Sequence, residues 1–317
     1  MKNKIKTLLV GLGRVGFEYD LNNKHEILTH AKSIFKHKQL EFVSAVDKDL
    51  TKLNKFKKNY NIKVSNNLTK SIKTEKPNLV IISVDTINLF KICSIVVKNK
   101  FIKYIILEKP GATNFKQLKK IYNICKKSKI KLFINYNRSY YKKFLSQFEI
   151  LKKTRNFKIV YKYNRGLYNN ASHFLNLIFH YLDLPKKILI LKKENKNSYD
   201  LSGDILLFFK NGIIYLLSSP AKKFIVNEGF IFTKNSKLRI NLRKSEIIKY
   251  KSKSSKLLKG YKFFLKNKTI KLQKKDNQLQ TLNLILRQLK KKPFNQELFN
   301  ANLKTIKTLD EIKYKFN

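Results

Sequence analysis

Three glycines placed directly after the first apolar run constrain this chain more than any other stretch. Residues 5–10 predict a buried β-strand, and the G-x-G-x-x-G stretch at residues 11–16 follows without a gap. In this spacing the first glycine permits a tight turn, the second lets the backbone approach a pyrophosphate, and the third lets a helix pack closely on the strand. A glycine-rich turn without a ligand is the alternative. The stretch predicts a dinucleotide site with four contacting residues: Gly11, Gly13, Arg14 and Val15.

Further strand and helix patterns alternate up to about residue 135. This alternation predicts an α/β domain of the Rossmann type, a doubly wound parallel sheet, over residues 1–135. Four more apolar runs are the predicted strands, together with a weak one at 62–64: Leu40–Val46, Leu79–Ser83, Tyr104–Leu107 and Lys131–Asn135.

The remaining residues, 136–317, predict a second, α+β domain with a large, mostly antiparallel open sheet. Residues 204–210 and 213–218 flank Asn211-Gly212, the dipeptide that tight hairpin turns prefer. Further strand patterns follow up to residue 265, with Lys251 to Lys256 as a mobile basic loop. Two helices, about 277–291 and 297–313, are predicted to close the chain.

Asp47 ends the second predicted strand, where a carboxylate can accept hydrogen bonds from the adenosine ribose. This favours NAD over NADP. Asp47 lies 31 residues after Gly16, more than the roughly 20 that are usual from the fingerprint, which indicates an insertion. The alternative is that Asp47 caps the helix predicted at 50–56. Ser83, at the end of the strand at 79–83, is the predicted neighbour of the nicotinamide half.

The strand at 104–107 ends abruptly in Glu108-Lys109-Pro110-Gly111. Ligands of open α/β sheets bind outside the carboxyl ends of the strands, so Lys109 is expected to face a ligand. We assign Glu108 and Lys109 to the cofactor site. A solvated loop lysine is the alternative, since most lysines are exposed.

Asn169-Asn170-Ala171-Ser172-His173 enters a helix that is predicted to run to about residue 182. His173, Asn176 and His180 share one stripe of this helix. His173 and His180 are two turns apart, about 10.5 Å, too far for both to bind one metal ion, so no metal site is predicted. A structural histidine at a helix start is the alternative for His173.

The formal net charge of +50 raises nucleic acid as a possible partner. Only seven of the 70 basic residues are arginines, whereas proteins that recognise phosphates and bases rely on arginine forks. The charge is therefore interpreted as mainly a solvated surface that can attract anionic ligands, with no specific nucleic-acid partner. With only two cysteines, no disulfide framework is predicted. No apolar run is long enough to span a bilayer. The chain is therefore expected to be cytoplasmic.

The glycine fingerprint, the acid after the second strand, Glu108-Lys109-Pro110 and the downstream histidine helix, in this order, resemble the glucose-fructose oxidoreductase/inositol dehydrogenase/MocA (Gfo/Idh/MocA) family over nearly the whole chain. Leu28-Thr29-His30-Ala31 and the 169–174 stretch are similar to members of surface-polysaccharide and nucleotide-sugar biosynthesis. The resemblance implies hydride transfer between a nicotinamide and a sugar carbon, with Lys109 as the active-site lysine and His173 as the catalytic histidine. Many relatives have aspartates where this chain has Asn169 and Asn176.

The resulting hypothesis is a nicotinamide-dependent sugar or nucleotide-sugar oxidoreductase, with NAD as the cofactor and a homo-oligomer formed through the C-terminal sheet. In it, His173 takes a proton from the sugar hydroxyl and Lys109 polarises the oxygen. A catalytically silent NAD-binding regulatory or scaffold protein is the alternative. The predicted substrate-binding residues are Asn137, Arg138, Asn169 and Asn176.

Overall fold

The computed structural model describes residues 4–23, 25–194, 200–221, 223–272, 276–289 and 296–316. Its strands form two separate sheets. The first has six parallel strands in the order β3-β2-β1-β4-β5-β6, the doubly wound arrangement that the sequence predicted. These strands are β1 (Ile5–Val10), β2 (Leu40–Val46), β3 (Lys63–Ser65), β4 (Leu79–Ile82), β5 (Tyr104–Leu107) and β6 (Lys131–Ile134).

The second sheet has eight strands in the order β14-β13-β12-β11-β7-β10-β9-β8. All neighbouring strands are antiparallel except β7 and β10, which run parallel. The predicted α/β fold with a mostly antiparallel second sheet is therefore confirmed. The strands are β7 (Phe157–Tyr163), β8 (Lys187–Lys193), β9 (Gly203–Phe209), β10 (Gly212–Ser218), β11 (Asn227–Thr233), β12 (Lys237–Asn241), β13 (Glu246–Ser254) and β14 (Lys262–Lys271).

Helices cover the apolar faces of both sheets. The helix that begins at Ser172 ends at Ile178, earlier than predicted. The helices are α1 (His30–Lys36), α2 (Leu50–Asn59), α3 (Leu68–Glu75), α4 (Thr86–Val96), α5 (Phe115–Lys127), α6 (Lys142–Leu145), α7 (Ile150–Lys153), α8 (Ser172–Ile178), α9 (Asn277–Leu289) and α10 (Gln296–Phe316).

The chain divides into two compact units, and the division differs from the single boundary at residue 135 that the sequence predicted. The first unit comprises Met1–Tyr140 and Lys274–Phe299, and the second comprises Tyr141–Gln273 and Asn300–Asn317. Helix α9 belongs to the first unit because Leu282, Ile285 and Leu286 are buried in the same apolar cluster as residues of α1 and β2. The nucleotide-binding unit is thus built from two distant stretches of sequence.

In the second unit, aromatic side chains fix α8 on its sheet. Phe174 stacks on Tyr161 of β7, with ring centroids 3.9 Å apart. The Tyr161 hydroxyl donates to Oδ1 of Asn227 at 2.6 Å, so the polar group of this buried side chain has a hydrogen-bond partner. Strand β7 therefore sets the position of the helix on which His173 lies.

The described part of the chain contains both cysteines. Cys93 and Cys125 are free and buried, and a hydrogen bond between the Cys93 thiol and Cys125, together with burial, raises the pKa of Cys93 well above its ordinary value. Among the described residues, no helix is long and apolar enough to cross a bilayer. No group of three or more His, Cys, Asp or Glu side chains in the described part of the chain could hold a metal ion.

Candidate functional site

The carboxyl ends of β1 and β4 meet at the point where the strand order of the first sheet reverses. Gly11 follows β1 and Ser83 follows β4, and their amides donate to Val46 and Val10 at 2.8 and 2.7 Å. Ligands of such sheets bind in the crevice at this point. Ser83 is buried there, as expected of a residue in the cofactor site.

The glycine loop is tightly packed at its first and third glycines and open at its second. Gly11 has φ +95°, and a Cβ on it would lie 2.3 Å from the Ser83 carbonyl oxygen. A Cβ on Gly16 would lie 2.1 Å from the Gly11 carbonyl oxygen, whereas a Cβ on Gly13 would meet nothing within 4 Å. The loop therefore requires glycine at 11 and 16 for its own packing. At Gly13 it leaves open space, which a pyrophosphate could use.

The helix expected after this loop is much shorter than the fingerprint predicted. Residues Arg14–Glu18 form a single π-helical turn, with Arg14 exposed and Val15 half-buried. Asp20 then organises the insertion, because its buried carboxylate accepts the Leu28 amide at 2.7 Å and the Thr29 hydroxyl at 2.8 Å. The structural role of Asp20 was not predicted from the sequence, which indicated only an insertion before Asp47.

Asp47 contacts the glycine loop and does not cap the following helix. Its Oδ2 accepts the Leu12 amide at 2.7 Å, and its Oδ1 accepts the Asp49 amide at 3.0 Å. The cap of α2 is Asp49, whose Oδ1 accepts the amides of Thr51 and Lys52. The capping alternative for Asp47 is therefore wrong. The carboxylate is half-buried beside the glycine loop, after the end of β2.

Glu108 lies at the centre of a hydrogen-bond network at the end of β5. Its Oε1 is 2.8 Å from Nε2 of His30 and 2.7 Å from Nδ2 of Asn135, which follows β6. Burial alone would raise the pKa of Glu108, but the hydrogen bonds and charge of His30, the Asn135 amide and the Lys109 ammonium outweigh it and lower the pKa. Glu108 is thus an ionised carboxylate held by partners from two other elements.

His30 joins this carboxylate to helix α9. Its ring is buried, and the side-chain nitrogen of Gln278 lies 2.9 Å from Nδ1. The same Gln278 nitrogen lies 3.0 Å from Nε2, so Glu108 and Gln278 both contact this ring. His30, Asn135 and Gln278 were not assigned to the site from the sequence. The only signal was His30 within the Leu28-Thr29-His30-Ala31 resemblance.

Lys109 is half-buried and follows Glu108 directly, and the peptide bond to Pro110 is cis. Its charge is one of the influences that lower the Glu108 pKa, so the ammonium lies near that carboxylate. Asn137 and Arg138, predicted to bind substrate, open a short helical turn after β6 and are half-buried. Nη1 of Arg138 is 3.5 Å from Oδ1 of Asn137.

In the second unit, Asp200 organises the segment that leads to His173. Its carboxylate oxygens accept the Tyr168 and Asn169 amides, each at 2.7 Å. These amides belong to a π-helical turn, Leu167–Ala171, that runs directly into α8. Asn169 and His173 are half-buried near the start of this helix. Asp200 is a further residue that the sequence analysis missed.

The stripe predicted along α8 does not persist in the structure. Asn176 is buried, and its Nδ2 donates to Oδ1 of Asn302 at 2.8 Å, so we leave Asn176 out of the proposed site. His180 lies beyond the end of α8. Burial and the charge of Lys304 lower the pKa of His180 to about 4.

The residues of the first unit fit a dinucleotide. The open space at Gly13 accommodates a pyrophosphate, and the Asp47 carboxylate offers acceptors for ribose hydroxyls. The family model described as "Oxidoreductase family, NAD-binding Rossmann fold" matches residues 5–136. Residues 5–136 thus resemble the NAD-binding domain of the Gfo/Idh/MocA oxidoreductases. The first unit is accordingly an NAD-binding Rossmann domain.

Solved structures of oxidoreductases and dehydrogenases resemble the fold of this chain. A Gfo/Idh/MocA family oxidoreductase from Vibrio cholerae matches with a TM-score of 0.70 at 11% identity over 98% of each chain. UDP-N-acetylglucosamine 3-dehydrogenase GnnA from Acidithiobacillus ferrooxidans matches with a TM-score of 0.72 at 12% identity, over 98% of this chain and 97% of that one.

WlbA dehydrogenase from Bordetella pertussis, solved with NADH and UDP-GlcNAcA, matches with a TM-score of 0.62 at 15% identity, over 76% of this chain and 74% of that one. At these identities the likeness concerns the fold. No curated protein sequence matches the chain.

Proposed function

We propose that this protein is an NAD-dependent oxidoreductase of the Gfo/Idh/MocA family that acts on a CH–OH group of a sugar or nucleotide sugar in polysaccharide or sugar biosynthesis. The observation that carries the proposal is the turn Glu108-Lys109-Pro110 at the carboxyl end of β5. There His30 and Asn135 hold the buried carboxylate next to Lys109. A lysine with so constrained a neighbour is suited to act on a bound ligand.

Lys109 and His173 are the proposed catalytic residues. NAD, when bound, supplies the hydride acceptor, or in reduced form the hydride donor. The Lys109 ammonium donates a hydrogen bond to the oxygen of the reacting carbon and stabilises negative charge on it. The His173 imidazole takes the hydroxyl proton during oxidation and returns it during reduction.

The proposed cofactor site uses the loop and the strand ends of the first unit. The backbone at Leu12 and Gly13 can approach the pyrophosphate, and the exposed Arg14 adds positive charge there. The Asp47 carboxylate repels a 2′-phosphate, which favours NAD over NADP. The full proposed set is Gly11, Gly13, Arg14, Val15, Asp47, Ser83, Glu108 and Lys109.

Asn137, Arg138 and Asn169 are the proposed substrate-binding residues. The guanidinium of Arg138 can bind a carboxylate or a diphosphate, and the two amides can orient sugar hydroxyls. The net charge of +50 increases the local concentration of anionic substrates, which suits a nucleotide sugar better than a neutral one.

A panel of UDP-, GDP- and dTDP-sugars, with the free sugars as controls, tests the proposal by nicotinamide absorbance in both directions. We expect turnover with at least one nucleotide sugar and a loss of roughly 10² in kcat for Lys109→Met. NAD binding with no turnover of any sugar, in either direction, would favour the silent NAD-binding regulatory or scaffold protein instead.

A homo-oligomer through the second sheet is part of the proposal. Leu206, Tyr215 and Phe230 are half-buried on strands whose alternate residues are buried, so they share the uncovered face of this sheet. Analytical ultracentrifugation tests this: Tyr215→Lys combined with Phe230→Lys should yield monomers of unchanged secondary structure. An unchanged molecular mass would refute the interface.

A further inference from the structure

Strands β13 and β14 extend beyond the edge of the second sheet as a two-stranded ribbon. Strand β12 pairs only with residues 246–250 of β13, whereas residues 251–254 pair with residues 262–265 of β14. In the described residues this outer part has no third strand. Two-stranded hairpins of this kind are marginal in water unless another surface packs on them.

The ribbon ends in an ordered turn, where the sequence predicted a mobile basic loop from Lys251 to Lys256. Lys251 to Ser254 continue β13. The Ser255 amide donates to the Tyr261 carbonyl oxygen at 2.8 Å, and the Leu258 amide donates to the Ser255 hydroxyl at 2.9 Å. The tip is therefore a hydrogen-bonded turn that holds its apolar residues at the end of the ribbon.

Large apolar side chains cluster on this ribbon and face water. Exposed apolar residues are ordinary when they are scattered, but a contiguous group marks an interaction surface. Here six of them fall within residues 257–265, and Leu257 is almost fully exposed. Their exposed fractions are Leu257 95%, Leu258 61%, Tyr261 70%, Phe263 44%, Phe264 39% and Leu265 44%.

The same ribbon is strongly basic. Residues 249–271 contain nine lysines, and no acidic residue occurs between Glu246 and Asp276. On β13 and β14, Lys251 pairs with Leu265 and Lys253 with Phe263, so positive and apolar side chains share one face. The ribbon thus combines apolar side chains with a positive field.

The charge decides among possible occupants. A second copy of the chain would bring an equally basic ribbon, and lysines on an edge strand oppose edge-to-edge pairing. A nucleic acid would satisfy the lysines and leave the aliphatic tip, Leu257 and Leu258, in water. A bilayer with anionic lipids offers phosphates to the lysines and an apolar layer to the tip.

We propose that the β13–β14 ribbon docks this protein on the surface of an anionic membrane, with Leu257, Leu258 and Tyr261 inserted at the interface and the surrounding lysines against the lipid phosphates. The docking is peripheral and reversible. It does not depend on the proposed function, because none of these residues belongs to the proposed active site.

Sedimentation of the full chain with vesicles tests the proposal. Vesicles of phosphatidylcholine alone are compared with equal parts of phosphatidylcholine and phosphatidylglycerol, at physiological salt. We expect binding to the anionic vesicles only. The variant Leu257→Ser, Leu258→Ser, Tyr261→Ser should lower the partition coefficient by about tenfold or more while it retains all the lysines.

A matched pair of charge variants separates the ribbon from the general charge of the protein. Lys256→Glu, Lys259→Glu, Lys262→Glu changes the net charge as much as Lys55→Glu, Lys57→Glu, Lys58→Glu on α2, and all six lysines are exposed. We expect the ribbon variant to abolish binding and the α2 variant to weaken it only slightly. Circular dichroism and thermal melting establish that each variant is folded.

Four outcomes would overturn the proposal. They are equal binding to neutral vesicles, equal losses in the two charge variants, no effect of the tip variant, and vesicle binding that is absent while a single-stranded oligonucleotide binds through the ribbon. A change of oligomeric state in the tip variant without loss of vesicle binding would instead assign the ribbon to self-association and would also overturn it.

Discussion

Nε2 of His30 lies 2.8 Å from Oε1 of Glu108, and this contact joins helix α1 to the turn that carries Lys109. Because Gln278 of α9 holds the other side of the ring, the C-terminal part of the chain takes part in fixing this turn. His30 is therefore a positioning residue in the proposed site, and its removal has a measurable electrostatic signature.

His30→Phe should destabilise the protein by roughly 2–4 kcal/mol at neutral pH, because the buried Glu108 carboxylate loses a charge-assisted hydrogen bond. Glu108 has a lowered pKa in the folded state, so the stability it contributes is present above the ordinary glutamate pKa of about 4.3 and is lost as pH falls through the folded value. The difference between wild type and variant in urea denaturation should therefore narrow below about pH 4.3.

The control for this experiment is His37→Phe. His37 is also buried and bonded, with Nε2 2.8 Å from Oδ1 of Asn283, but it does not contact Glu108. The His37→Phe substitution should lower the free energy of unfolding by about 1 kcal/mol. Carbon NMR of the Glu108 carboxyl should show a raised pKa in His30→Phe alone. An unchanged Glu108 titration would contradict the positioning role.

Asp47→Ser should reduce the preference for NAD over NADP by about tenfold or more, about 1.4 kcal/mol, because the carboxylate that repels a 2′-phosphate is gone. The serine hydroxyl can still accept the Leu12 amide, so the loop should keep its form. Titration of both cofactors by calorimetry measures the ratio.

Asp49→Ala is the matched variant, since this carboxylate caps α2 two residues away. It should cost about 1 kcal/mol of stability and leave cofactor preference unchanged. If Asp49→Ala changed the preference as much as Asp47→Ser, the assignment of the ribose to Asp47 would be wrong.

Gly13→Ala should fold normally and bind NAD poorly. Gly13 has φ −74°, which alanine adopts freely, and the added Cβ meets open space, so the free energy of unfolding should change by less than about 1 kcal/mol. In Gly16→Ala the Cβ would overlap the Gly11 carbonyl oxygen, and stability should fall by roughly 1–3 kcal/mol. Thermal melting with and without NAD distinguishes the two effects. Unchanged NAD affinity in Gly13→Ala would refute the pyrophosphate site.

Lys109→Met and His173→Ala should each lower kcat by roughly 10² or more, with NAD affinity and melting temperature little changed. The double variant should lose less than the product if the two residues act on the same transition state. Lys109→Arg should rescue poorly, because a planar fork does not replace a compact ammonium. Lys103→Met, at an exposed lysine that precedes β5, is the control and should keep full activity. Independent, multiplicative losses would mean that the two residues do not form one catalytic unit.

His180 should make stability depend on pH between about 6.5 and about 4. Its folded pKa is lowered to about 4, and burial and Lys304 are the causes, whereas the unfolded chain has the ordinary value near 6.5. The unfolded state therefore binds the proton first, and stability is lost as pH falls through this window, by at most roughly 3 kcal/mol. His180→Leu should flatten the profile of denaturation midpoints. His25→Leu, at an exposed histidine, should leave the slope as it is.

The sequence predicted the first sheet well because most of its strands are short, mainly apolar runs followed by glycine, aspartate, serine, glutamate or asparagine. Burial on both faces produces that pattern, and the strand order then follows from the right-handed crossovers. The glycine loop was also predictable from the sequence, because its three glycines lie within one stretch of six residues.

Contacts between distant parts of the chain could not be predicted in this way. His30 and Glu108 are 78 residues apart, and His30 and Gln278 are 248 apart, so no local pattern links them. Strand β7 was missed although it alternates as a half-buried strand should, because no tight turn joins it to a strand neighbour. It pairs with β10, about fifty residues later, and with β11. The partner of Asn176 has the same character, because Asn302 lies 126 residues further along the chain.

The contribution of α9 to the first unit also bears on how the protein is made. Leu282, Ile285, Leu286 and Leu289 complete an apolar cluster whose other buried members all lie before residue 141. The ribosome must therefore synthesise the chain past α9 before the apolar core of the first unit can be completed. Until then, part of the apolar surface of the nascent Rossmann domain remains exposed to water. Chains cut after residue 135 should accumulate as aggregates, whereas a fusion that joins residues 1–140 through a short linker to 274–299 restores the missing helix to the same polypeptide.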